Sequence, residues 1–122
     1  MATDKTDSGN IKISDEAIST IAAIAAKSVD SVVDLDGGAM GNLSEMIGVK
    51  DETKGVKVAM SADSVTLDIN LIVSFGCDIA SVAASVQEAV RDHIEKMTGL
   101  NVDKVNVNVN SVKLHGRVKN ND

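Results

Sequence analysis

From Val65 to Phe75 apolar and polar residues alternate, and directly after Gly76 the apolar period lengthens from two residues to between three and four. Alternation puts Val65, Leu67, Ile69, Leu71, Val73 and Phe75 on one face of a strand, with Thr66, Asp68, Asn70 and Ser74 opposite them. Ile72 is the one large apolar residue out of phase. The following stripe, Ile79, Val82, Ala83, Val86, Val90, His93 and Met97, belongs to an amphipathic helix that Asp78 can cap and Gly99 can stop. Two elements with one apolar side each must cover one another.

The flanking segments extend this plan. Val56, Val58 and Met60 alternate before turn residues Ala62, Asp63 and Ser64, which predicts a hairpin with the long strand. Ile11 and Ile13 read as a short first strand. Ser14, followed by Asp15 and Glu16, then caps a helix to about Val29 with an apolar face of Ile18, Ile21, Ala22, Ala25 and Val29. Val32, Val33 and Leu35 suggest another strand. The closing strand reads Val105, Val107 and Val109 against Asn106, Asn108 and Asn110, but Val112 and Leu114 fall in the opposite phase, which makes Ser111 a candidate bulge. The expected fold is α+β: a two-layer sandwich with two helices packed on one face of a mainly antiparallel sheet. Residues 9–115 form a single domain in this reading, with a disordered leader at 1–8 and a flexible tail at 116–122.

Composition narrows the chemistry. Phe75 is the only aromatic residue and Trp, Tyr and Pro are absent, so the core must be aliphatic. The formal charge of −6 disfavours broad binding to a phosphate backbone, which needs Lys and Arg gathered on one face. A lone Cys77 permits no internal disulfide, and no apolar run reaches the ~20 residues that cross a bilayer. These features fit a cytoplasmic chain.

No catalytic set stands out. Cys77, His93 and His115 are the only soft metal donors and their spacing matches no zinc pattern. Cys77 reads as a small buried thiol and His93 as a core-edge histidine. Neither histidine lies near a nucleophile motif. Asp34, Asp36, Glu45, Asp51 and Glu52 lack the spacing of a calcium loop and read as a solvated acidic segment. The sharpest alternative is Gly38-Ala39-Met40-Gly41, a G-x-x-G like the nucleotide clamp of KH domains. No Lys or Arg occurs between Lys27 and Lys50, however, so a phosphate there would meet a negative field. Leu43, Met46 and Ile47 could make one helical turn in the same segment.

Three stretches together resemble the alkaline shock, or envelope stress response, family of Gram-positive bacteria. They are Gly9 to Ile18 continuing to Val29, Val65 to Gly76 continuing to Gln87, and Met97 to Leu100 with Val105 to Val109. The resemblance implies a non-enzymatic protein of cell envelope homeostasis with no cofactor and no metal. It further implies a scaffold or adaptor that forms homo-oligomers and is held near the membrane by an anchored protein partner. Family members usually carry Gly before the valine pair that follows the first helix, where this chain has Ser31. Asn106, Asn108 and Asn110 mark a possible self-association strand. Gly38, Met40, Gly41, Leu43 and Met46 mark a possible partner loop. Proline at Asn108 would block strand pairing, provided that its N–H points outward. The competing function is an RNA-binding regulator using the G-x-x-G.

Overall fold

A computed structural model describes residues 9–37 and 55–114. In chain order the elements are α1 (Asp15–Lys27), β1 (Val32–Leu35), β2 (Val56–Met60), β3 (Ser64–Ser74), α2 (Ile79–Thr98) and β4 (Asn101–Lys113). The α+β expectation holds: both helices pack on one face of a four-stranded sheet. Strand β3 is its centre. On one side β3 pairs antiparallel with β2 through residues 65–69 and with β1 through residues 71–73. On the other side it pairs along its whole length with β4, and that pairing is parallel. A parallel return needs a crossover, which α2 supplies.

The core follows from the alternation. Val65, Leu67, Ile69, Leu71 and Val73 are all at most 1% exposed, because they lie on the helix-covered face of a strand flanked on both edges. Helix α1 faces them with Ile18, Ala22, Ala23, Ala25 and Ala26, and these small residues let it approach closely. The Ser14 hydroxyl accepts from the Ala17 N–H at 3.0 Å, so the expected N-cap is in place. Helix α2 contributes Val82, Val86, Val90 and Ile94, four residues spaced at i, i+4. Asp78 caps it, and Gly99 closes it in the left-handed region at φ 77°.

Three expectations need correction. Ile11 and Ile13 form no strand: alternation does not supply a partner, and Ile11 is 80% exposed while Ile13 packs against the core margin. Phe75 lies past the last paired residue, in the turn to Gly76, and is exposed instead of buried. The stripe of α2 does not pass through His93 and Met97, which are both exposed, but through Ile94. Ile79 also lies outside it, 44% exposed at the first turn. The segment containing Gly38, Met40, Gly41, Leu43, Met46 and Ile47 lies outside the described residues, as does His115.

The bulge near Ser111 is present. Leu71 is opposite Val109 and Ile72 opposite Ser111, so Asn110 is the extra residue. It returns Val112 to the phase of Val73. A second bulge, at Asp103, separates Val102 opposite Val65 from Val105 two β3 residues later opposite Leu67. Five valines of β4 therefore register with the five core residues of β3.

Two left-handed backbone positions frame the β1–β3–β2 edge. Ser31 takes φ 77°, the conformation glycine adopts without a Cβ penalty, while its C=O accepts from the Ser74 N–H at 2.9 Å. Gly55 has φ 83°, and a Cβ there would stand 2.9 Å from the Leu35 Cβ and 3.0 Å from the Asp36 N. Only glycine fits.

The open edge of strand β4

Backbone direction identifies which groups of β4 are free. The Asp36 N–H donates to the Asn70 C=O at 2.9 Å and the Asn70 N–H donates to the Gly55 C=O at 2.8 Å. Even-numbered residues of β3 thus address β1 and β2, and the odd-numbered residues address β4. In a parallel ladder each of those bonds to the two residues flanking its partner. Ile69, opposite Val107, therefore bonds to Asn106 and Asn108. The peptide groups of Val107 itself face away.

The same alternation, interrupted at each bulge, turns Val102, Val105, Val107, Val109 and Val112 outward at the backbone while their side chains stay on the helix-covered face. Two contacts from α2 agree with this. The Glu95 carboxylate accepts from the Val102 N–H at 3.0 Å, and the Gln87 side chain donates to the Val105 C=O at 3.0 Å. Long polar side chains of α2 thereby occupy the first half of the edge, a common protection for an exposed strand. One and two helical turns earlier the same side of α2 carries Ala83, Ala84 and Ala80, which cannot reach. Among the described residues no strand pairs with the second half.

The three asparagines lie on the opposite, helix-free face. Asn108 donates from its side chain to the Asn70 Oδ1 at 3.1 Å, and Asn110 donates to the Asp36 Oδ2 at 3.3 Å. Asn108 and Asn110 thus tie β4 to residues of its own sheet. The Asn108 N–H points into the β3 ladder, so proline there would break the fold instead of selectively blocking the edge. The informative positions are the valines between the asparagines.

Nothing comparable assembles around the soft side chains. Cys77 is half-buried at the β3–α2 turn, and His93 is exposed with its Nδ1 2.8 Å from the Ala89 C=O. About 20 Å of helix separates them. No group of three or more His, Cys, Asp or Glu gathers among the described residues. A cleft of about 560 Å³ beside Ile11, Ile13, Met60 and Leu100, and one of about 250 Å³ beside Lys27, Ser31 and Ser74, include neither. Among the described residues no helix is long and apolar enough to cross a membrane.

Comparison with known proteins places this architecture. The chain is 39% identical over 101 residues to YqhY of Bacillus subtilis, covering 83% of this chain and 75% of that one. It is 31% identical to YloU of the same organism, covering 90% and 93%. A stress response regulator gls24 homolog of Streptococcus pyogenes is 26% identical over 86% of this chain, which spans 59% of that longer relative. Among solved structures, a variant of the MamM CTD superposes with a TM-score of 0.49 at 14% identity, over 79% of this chain and 93% of that one. The family model for the alkaline shock proteins, whose function is described as cell envelope-related, matches residues 3–114, and the chain belongs to that family.

Proposed function

We propose that the protein is a non-enzymatic scaffold or adaptor of the envelope stress response, which self-associates and is held near the membrane by an anchored protein partner. The observation that carries this reading is the open second half of the β4 edge. There, among the described residues, the N–H and C=O groups of Val107 and Val109 meet no neighbouring strand, while α2 attends to the first half. An exposed row of backbone donors and acceptors is a template for strand addition. The envelope-related family and its stress-regulator relatives support the setting.

The competing RNA reading has less behind it. The net charge is −6, one aromatic residue is available for stacking, and no basic residue lies between Lys27 and Lys50 around the G-x-x-G. The test is sedimentation of the full chain over a concentration series, beside titration with single-stranded RNA in ~150 mM salt. A pull-down from envelope-associated lysate then addresses the anchor. Concentration-dependent association without RNA binding supports the scaffold. A strict monomer that binds RNA tightly overturns it.

A further inference from the structure

The outward-facing backbone positions of β4 are Val102, Val105, Val107, Val109 and Val112, and this set is symmetric about Val107. Counting outward from that residue, Val105 matches Val109 and Val102 matches Val112. The two bulges, at Asp103 and Asn110, fall between matching pairs. A strand whose irregularities are distributed this way is complementary to a copy of itself turned end for end. We infer that β4 pairs antiparallel with β4 of a second copy about a two-fold axis at Val107, a refinement that rests on the scaffold reading above.

In that arrangement Val107 and its symmetry mate exchange both backbone hydrogen bonds, and Val105 does the same with Val109 of the second copy on either side. The Val105 C=O keeps its bond from Gln87, because a carbonyl has two lone pairs. Val107 and Val109 are half-buried at the core margin, so pairing carries the aliphatic layer across the axis. Asn106 meets Asn108 on the open face, where both are exposed. Charge decides the direction. Antiparallel pairing puts Lys104 opposite Asn110, Asp103 opposite Ser111 and Lys113 opposite Asn101, whereas an in-register parallel pair would set Lys104 against Lys104 and Asp103 against Asp103. Among the described residues, the short side chains of α2 at positions 80, 83 and 84, all alanine, do not reach over this part of the edge. The contact is isologous, so it closes a dimer.

The experiment uses the full chain with Cys77→Ala as background and two single variants, Asn106→Cys and Asn108→Cys. Facing residues that do not exchange backbone bonds stand with Cα atoms about 4.5 Å apart, within disulfide range. Mild oxidation of an equimolar mixture should therefore join Asn106→Cys to Asn108→Cys, and each variant alone should give several-fold less dimer. A further variant, Val107→Pro, deletes an outward N–H without touching the β3 ladder. It should raise the dissociation constant seen in sedimentation by at least about tenfold while leaving the circular dichroism spectrum unchanged. Disulfides formed equally well within each pure variant would overturn the two-fold arrangement. So would an oligomer that ignores Val107→Pro and yields no mixed disulfide, an outcome in which the scaffold reading survives and only this edge is ruled out. A wild type that stays monomeric at every concentration removes both.

Discussion

Ser31 and Gly55 hold the same left-handed backbone with opposite fitness for it. The Ser31 Cβ crowds its own backbone at φ 77°. Ser31→Gly should therefore stabilise the fold by about 1 kcal/mol, relief of strain exceeding the extra chain entropy that glycine gives the unfolded state. Gly55→Ala should do the reverse and cost at least about 2 kcal/mol. It combines φ 83° with a new Cβ 2.9 Å from the Leu35 Cβ, inside contact distance. Urea denaturation of both variants checks the pair, and a destabilised Ser31→Gly would mean that the hydroxyl or the turn itself is doing something the backbone does not reveal. The departure from glycine at Ser31 was visible in the sequence, but its consequence was not: composition cannot tell whether the turn has changed shape or has kept its shape under strain.

At the scale of single elements, periodicity located the helices and the long strand and lost accuracy where an element meets solvent. The α2 stripe was legible from Val82 through Val90. Beyond that, His93 and Ile94 are adjacent candidates, and only packing shows that Ile94 turns inward. The contrast gives a prediction. Val86→Asp and Ile94→Asp should each abolish cooperative unfolding, since either places an unpaired carboxylate at a position with 0% exposure, at a cost of several kcal/mol against a total stability of ~5–15. Met97→Asp, at 67% exposure on the same helix, should shift stability by less than about 0.5 kcal/mol. Thermal melts followed at 222 nm separate the two classes; a Met97→Asp protein as damaged as Val86→Asp would remove the boundary drawn here. In β4 the phase change at Ser111 disclosed one bulge. The other announced itself only through the three-residue step from Val102 to Val105, which looks like ordinary irregularity until Val102 is recognised as part of the strand. The candidate edge was legible as a strand with an asparagine face, yet not as an edge whose free groups belong to the valines, because side-chain alternation says nothing of which neighbour a peptide group addresses.

For the molecule as a whole, the strand order explains what the sequence could not give: two short strands, β1 and β2, lie end to end along one side of β3. Leu35 is opposite Leu71 and Val56 is opposite Ile69, leaving one place opposite Asn70. Two residues share it. Asp36 supplies the N–H that the Asn70 carbonyl accepts, and Gly55 supplies the C=O that the Asn70 N–H reaches. Both strands run in the same direction, so β1 and β2 are halves of one strand into which the chain between Asp36 and Gly55 has been inserted. Joining Asp36 directly to Val56, with residues 37–55 removed, should let Asp36 fill the place opposite Asn70 with both of its backbone groups. The ladder would then run unbroken from Asp34, past the irregularity at Val33, to Met60. The shortened chain also has less closure entropy to lose on folding, a term that varies slowly with loop length and is worth only about 1–2 kcal/mol here. The expected outcome is an unchanged circular dichroism spectrum, a single unfolding transition and a midpoint at or above that of the full chain. Sedimentation of the same variant should retain the wild-type association, since the β4 edge lies on the far side of β3 from the junction. Loss of cooperative unfolding would show that residues within 37–55 complete the core, and loss of association alone would transfer the interaction surface from the β4 edge to the excised segment.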